Sequence, residues 1–340
     1  MVTHEKKNYV LFSYWLTTAL ILVFFIIIIG GLTRLTNSGL SITQWELFKG
    51  ILPPLTLSKW EEYFDLYKEI PQFKILYPQM SLSEFKIIFY WEYFHRILGR
   101  VIGLFFLIPL LYFHFKKIDK KYLKSCNTVM LLILLQGFVG WYMVMSGLVN
   151  EVTVSHYRLS LHLGIAILII SIIFWQILSL KGDKIKVFFN TSKERLPYLF
   201  LIFLIFMQII FGAFVSGLDA GKIYQNWPLM GINYFPDDVT INNFLNLIDF
   251  ENHSLIQFYH RNLAYLITVY ILILSYLIFK KQNTKLYKPI IFLIIILSFQ
   301  VFLGIFTLLS NLHVALASMH QIISVILILS ALNLYYYTIK

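Results

Sequence analysis

Two short blocks of this chain read Glu92-Tyr93-Phe94-His95-Arg96 and Gln257-Phe258-Tyr259-His260-Arg261. Each opens a long apolar run, and a later apolar run carries a second histidine near its start, His162 after the first block and His320 after the second. Ionisable groups are costly inside a membrane and mark functional sites there. Two neutral imidazoles on facing helices of a four-helix bundle are the usual axial pair for haem iron. The pattern therefore predicts two haems, one between His95 and His162 and one between His260 and His320. A nonhaem metal would want further carboxylates or cysteines close by, and only Glu92 is near, in one block alone.

That acid has an amide, Gln257, as its counterpart. The asymmetry predicts that one site does chemistry and the other does not. Glu92 lies three residues before His95, on the same helix face, and a carboxyl beside hydrocarbon suits proton transfer. The plainer alternative is an interfacial carboxylate paired with Arg96 or Arg100. Arg96 and Arg261 each follow a proposed ligand, where a guanidinium can clamp haem propionates in a bidentate manner. Their plainer alternative is an interfacial arginine with its head in water. His313 is expected two turns above His320 on the same side, and His156 off the His162 face. Both are placed at the water interface, their roles open. His114 is too far along its helix to join a site, and His4 and His253 fall in polar segments.

The elements that must position these side chains follow from composition. The chain has 340 residues, 59% hydrophobic and only 13% charged, against about 25% charged in soluble domains; mean hydropathy is +0.73. It reads as an all-α integral membrane protein. The first apolar segment is too long for a signal-peptide core and is not followed by a small-residue cleavage site. Eight runs can each cross about 30 Å of hydrocarbon: 10–31, 88–114, 126–146, 157–179, 196–216, 256–279, 288–309 and 313–337. One set of connecting segments holds seventeen basic residues against four acids, and the other face has the remaining eleven against thirteen. The positive-inside rule puts the first set, with both termini, in the cytoplasm. The net charge of +11 is then a topology signal, and no nucleic-acid partner is implied. The single cysteine, Cys126, forbids an intrachain disulfide and reads as structural.

The chain also repeats itself. Gly31 and Gly50-Ile51 align with Gly212 and Gly231-Ile232, the Glu92 block with the Gln257 block, and Gln136-x-x-x-Gly140 with Gln300-x-x-x-Gly304. Ser160-Leu161-His162 aligns with Ser318-Met319-His320. Each half holds four helices, so the expected architecture is two parallel tandem four-helix bundles related by a pseudo-two-fold along the membrane normal. The boundaries expected are an N-terminal bundle over 1–180, a cytoplasmic linker over 181–195 and a C-terminal bundle over 196–340. The outer segments 32–87 and 217–255, with Trp45, Trp60, Trp91 and Trp227, read as ordered caps with short interfacial helices; for most of these rings an interfacial belt is the plainer reading.

Taken together these residues resemble the haem A synthase family, over the whole chain. The likeness rests on Gly30-Gly31-Leu32-Thr33-Arg34-Leu35-Thr36-x-Ser38-Gly39-Leu40-Ser41, on Glu92-x-x-His95-Arg96-x-x-Gly99-Arg100, and on Gln136-Gly137-x-x-Gly140-Trp141. It continues through Gly217-Leu218-Asp219-Ala220-Gly221 and Trp227-Pro228-Leu229-Met230. A cysteine pair found in the first outer loop of some members is missing, so the chain is similar to the cysteine-free type of alphaproteobacteria and mitochondria. The resemblance implies an oxidoreductase that oxidises the C8 methyl of haem O to the formyl group of haem A by successive hydroxylations and loss of water. It assigns haem O, as substrate, to His95, His162 and Glu92. It assigns haem b, as an electron relay, to His260 and His320. It also implies a bacterial inner membrane location, with a haem O synthase upstream and the cytochrome oxidase assembly pathway downstream. No flavin or nicotinamide motif is present, so the electron donor stays unidentified, as do the oxygen source and the oligomeric state, a homo-oligomer included.

Two rival functions fit less well. A dihaem b cytochrome exchanging electrons with quinone usually stacks its haems towards opposite membrane faces, whereas all four histidines here are expected on the outer side. A transporter of parallel repeats would break its helices near the midplane, and the runs here read as continuous.

Overall fold

The computed structural model describes every residue except 1, 45–48, 151, 183–185, 187, 190–191, 242–243 and 340. Trp45 and part of the expected 181–195 linker thus lie outside the described residues. The described residues are helical, and their only β pairing is an isolated bridge between Met230 and Asn233. Eight helices are long and apolar enough to cross a membrane among the described residues. They are α1 (Val2–Leu35), α4 (Leu82–His114), α5 (Lys120–Asn150), α6 (His156–Lys181), α7 (Leu196–Gly217), α9 (His253–Lys280), α10 (Tyr287–Leu309) and α11 (Val314–Thr338). Three short helices, α2 (Leu57–Lys68), α3 (Pro71–Leu76) and α8 (Phe244–Leu247), lie in the connecting segments.

The spans match the apolar runs, but several helices run past them. The start of α4 is at Leu82 rather than near 88, because Ser81 and Glu84 close a capping box there; such a box satisfies two orphan N–H groups. Its first turns are then buried against the cap. Phe85, Ile88 and Phe89 pack with Trp60, Phe64 and Tyr67 of α2, and Phe64 and Phe85 stack at 5.1 Å. His95 therefore sits well inside its helix rather than near its opening. His162, His260 and His320 do fall seven or eight residues into α6, α9 and α11.

By its contacts the chain divides into two compact units, Met1–Ile170 and Ser171–Lys340, a division that falls within α6. In the first unit α4 packs against α1 and α5, and α2 and α3 lie on α4 and α5. In the second, α7 packs on α9 and α11, and α10 on the same two, so the four close a ring. Around Trp175 in that unit, Phe188, Tyr335 and Tyr336 gather at ring distances of 5.1–5.7 Å.

The register of the repeat differs by one residue from the sequence alignment at the end of α1. Asn37 and Asp219 both adopt the left-handed conformation, at φ 52°. The helix ends preceding them bond alike, Thr36 N to Leu32 O and Leu218 N to Phe214 O. Gly30, and not Gly31, is thus the counterpart of Gly212. Asn and Asp tolerate left-handed backbone better than most residues, which is why the chain can turn there in both halves.

Candidate functional site

Each unit brings its two predicted histidines face to face. The ring centroids of His95 and His162 are 6.4 Å apart, and those of His260 and His320 also 6.4 Å, with interplanar angles of 65° and 77°. A metal–imidazole bond of about 2.0 Å puts two rings on opposite sides of one iron roughly 6.3 Å apart between centroids. The spacing fits one iron per pair.

Every ring is seated against a glycine on a neighbouring helix. A Cβ at Gly30, Gly140, Gly212 or Gly304 would lie 2.9, 3.0, 3.2 or 2.8 Å from Cε1 of His95, His162, His260 or His320 respectively. Each histidine thus lies in a cradle that any side chain would fill. The Nδ1 atoms of His95, His162 and His320 are buried without a hydrogen-bond partner, and buried polar atoms seldom stay unsatisfied. Four seated imidazoles, three of them with an orphaned nitrogen, are a donor set that fits haem iron.

The third predicted group is tied to the cap. Glu92 is 3% exposed. Its Oε1 accepts from Arg96 Nε at 3.0 Å and from Nη2 at 2.6 Å. Its Oε2 accepts from Ser41 Oγ at 2.7 Å and from the Ile42 N–H at 2.8 Å. Arg96 Nη2 also donates to Ile42 O at 3.0 Å. So Glu92 is paired with Arg96, as the plainer reading had it, and the pair is buried rather than solvated, the arginine side chain being only 11% exposed. Ser41 was not singled out from sequence, although the signal was there in the Ser38-Gly39-Leu40-Ser41 turn.

The second unit answers with the same frame and a different atom. Arg261 Nη2 donates to Tyr224 O at 3.1 Å, as Arg96 does to Ile42 O, and its Nη1 donates to Leu229 O at 3.1 Å. Where the carboxylate would accept from a backbone N–H, Gln257 Nε2 donates to Tyr224 O at 2.8 Å. Among the described residues no carboxylate is shown paired with Arg261. The cap here is bound to α9 through Trp227 Nε1 to Tyr265 Oη at 2.8 Å, Tyr234 Oη to Asn262 Oδ1 at 2.5 Å, and Ser254 Oγ to Asp238 Oδ2 at 2.8 Å.

The remaining histidines stay out of both centres. His156, expected at the water interface, is buried at the first turn of α6, its ring 4.0 Å from that of Tyr157. His313 is exposed at the position just before α11. His114 bonds Asn127 at 2.9 Å at the far end of α4.

Comparison with known proteins gives consistent matches. Residues 13–332 match the family model described as cytochrome oxidase assembly protein. A heme A synthase of Pelagibacter ubique is 48% identical over 332 residues, covering 96% of each chain. One from Rickettsia felis is 41% identical over 334 residues, covering 97% of this chain and 98% of its own, and one from Rickettsia bellii is 42% identical over 318 residues, covering 92% and 94%.

Proposed function

The chain belongs to the cytochrome oxidase assembly protein family, and from that premise we propose that it is a multi-pass membrane haem A synthase, oxidising the C8 methyl of haem O to the formyl group of haem A. The N-terminal bundle, 1–180, takes haem O between His95 and His162. The C-terminal bundle, 196–340, retains haem b between His260 and His320, and 181–195 joins them on the cytoplasmic side of the bacterial inner membrane, where both termini lie. The product feeds cytochrome oxidase assembly.

One observation carries the division of labour. Two histidine pairs of equal spacing stand under caps that differ by a carboxylate in one and an amide in the other. Bound haem b would supply single electrons to the N-terminal unit. The protein's own part in oxidising a methyl group is to hold the ring and to handle protons. Glu92 suits the second task because its donors are fixed, with two N–H groups of Arg96 on Oε1 and Ser41 Oγ with Ile42 N–H on Oε2. Ser41 Oγ has a second acceptor, Ile88 O at 3.3 Å. When a proton arrives on Oε2, the hydroxyl can turn to that carbonyl, so the carboxyl gains a proton without losing its cap. Gln257 offers no such site. Arg261, which among the described residues donates to two carbonyls, is the better placed of the two arginines to meet a haem propionate; Arg96 already neutralises Glu92.

The test is to purify the protein from cells that also make haem O and to identify the extracted pigments by chromatography and mass spectrometry. Haem b together with haem O, a hydroxylated intermediate or haem A is expected. Two equivalents of haem b alone would turn the reading to an electron-transfer cytochrome, and no haem would end it.

A further inference from the structure

The turn between the second and third spanning helices of each unit carries a second repeat. It reads Tyr112-x-x-Phe115-Lys116-Lys117-x-x-x-Lys121-x-x-Lys124 between α4 and α5, and Tyr276-x-x-Phe279-Lys280-Lys281-x-x-x-Lys285-x-x-Lys288 between α9 and α10. All seven intervening positions differ between the two. The six retained side chains are exposed in both units, whereas the buried positions have drifted, Tyr122 to Leu286 and Ile118 to Gln282 among them. Loop residues kept while their packed neighbours change point to binding rather than to stability. The positive-inside rule asks only for a surplus of lysine near the helix ends, not for lysine at fixed positions.

The geometry repeats with the residues. Lys116 Nζ stands 4.8 Å from the Tyr112 ring centroid, and Lys280 Nζ 5.7 Å from that of Tyr276, each a cation over an aromatic ring at a helix end. Lys121 and Lys124 open α5. Lys285 sits in the 3-10 turn that leads into α10, and Lys288 in the first turn of α10. Positive charge at a helix N-terminus opposes the macrodipole, and neither first turn holds an acid. Asp119, just ahead of α5, accepts from the Lys121 N–H at 2.7 Å, and its counterpart is Asn283. In the second unit the charge extends further. Lys186 is held below the usual lysine range by burial and then by Arg195 and Lys285, while Lys186 and Arg195 donate to the last carbonyls of α11. Cations crowded at one membrane edge favour an anion there.

We propose that each of these turns is a docking site for an anionic phospholipid, its phosphate among the four lysines and its acyl chains along the exposed apolar face of α4 or α9. That face carries Ile108 and Leu111 in the first unit and Leu272 and Ile273 in the second. The site stands apart from the histidine pairs, Lys116 being roughly 30 Å from His95 at 1.5 Å per residue, and it does not depend on what the histidines bind.

The full-length protein, purified in neutral detergent, is titrated with phosphatidylglycerol or with phosphatidylcholine, and bound lipid is counted by native mass spectrometry. Phosphatidylglycerol is expected to saturate at one molecule per unit, and phosphatidylcholine to bind far more weakly. Lys121→Gln and Lys285→Gln should each weaken one of the two sites about fivefold, the usual worth of one lysine at an anionic surface. Lys120→Gln is the control, because Lys120 is also exposed but has Thr284 as its counterpart; it should leave binding unchanged. Equal weakening by Lys120→Gln and Lys121→Gln would reduce the turn to diffuse charge and overturn the proposal. Equal binding of the two lipids would do the same, as would displacement of phosphatidylglycerol by inorganic phosphate at the same concentration.

Discussion

Positions 92 and 257 differ by one atom, a carboxylate oxygen against an amide nitrogen, and that atom decides what each cap can do. The pair of Glu92 and Arg96 is buried, and removing one partner of a buried pair costs about 3–5 kcal/mol because the other charge is stranded. Glu92→Ala should therefore lower the unfolding temperature in detergent markedly. Glu92→Gln should not, because the second unit already shows an amide and an arginine sharing one loop carbonyl. The amide variant is expected to fold and bind haem yet make no haem A, and normal haem A production by it would remove the acid from the mechanism. Asp237 makes a second prediction at this scale. The Ile232 N–H, and then the Asn233 amide, hold its carboxyl below the usual aspartate range. A lowered folded-state value means stability that is complete above the unfolded value of about 3.9 and is lost as pH falls through the folded one. Amide exchange at Ile232 should thus accelerate beyond its intrinsic rate only below about pH 4, and Asp237→Asn should abolish that acid step. An unchanged acid profile in the variant would show that other carboxylates hold the cap.

The helices do their work through what they omit. Along α1, α5, α7 and α10 a bare glycine faces each histidine, at distances where a methyl group would collide. At 2.8 Å from the ring, a Cβ on Gly304 must displace His320, whereas at 3.2 Å His260 need give by only a few tenths of an ångström beside Gly212. Gly304→Ala is expected to lose most of the haem from the C-terminal unit and Gly212→Ala much less, read as haem per protein by pyridine haemochrome; equal retention would show that the rings do not depend on the cradle. This is also where sequence reading reached its limit. The histidines, the eight spans and the Glu92 asymmetry were legible because polar residues in apolar runs and residue-for-residue repeats need no coordinates. Two things were not. Adjacent glycines at 30 and 31 satisfy either register, and only the left-handed turns at Asn37 and Asp219 choose between them. The outward extension of α4 depends on a capping box and on aromatic packing from α2, a tertiary contact that no local pattern announces. The ion pair of Glu92 was foreseen as an alternative, but its hydroxyl and backbone donors come from a turn some fifty residues away.

At the scale of the molecule, the duplication proposed from the sequence would let two like histidine pairs serve two purposes. A frame that seats two imidazoles at one iron's spacing can either keep a haem or process one, and what separates the two cases lies outside the histidines. In the second unit the cap is tied to α9 by Trp227, Tyr234 and Asp238, and two ring-facing helices carry amides within reach of their histidines. In the first unit the cap holds an acid. If the units divide the labour in this way, losing a ligand has different consequences in each. His260→Ala or His320→Ala should yield protein that lacks the resident haem b and makes no haem A, because the relay is gone. His95→Ala or His162→Ala should yield protein that keeps haem b at about one equivalent, by the same one-iron-per-pair arithmetic, while haem O accumulates in the membrane. Optical spectra and extracted pigments of the four purified variants measure both quantities at once. Equal loss of haem b from all four would mean that the two units hold the same pigment in the same way, and the asymmetry of the caps would then have to be explained without a division between substrate and relay.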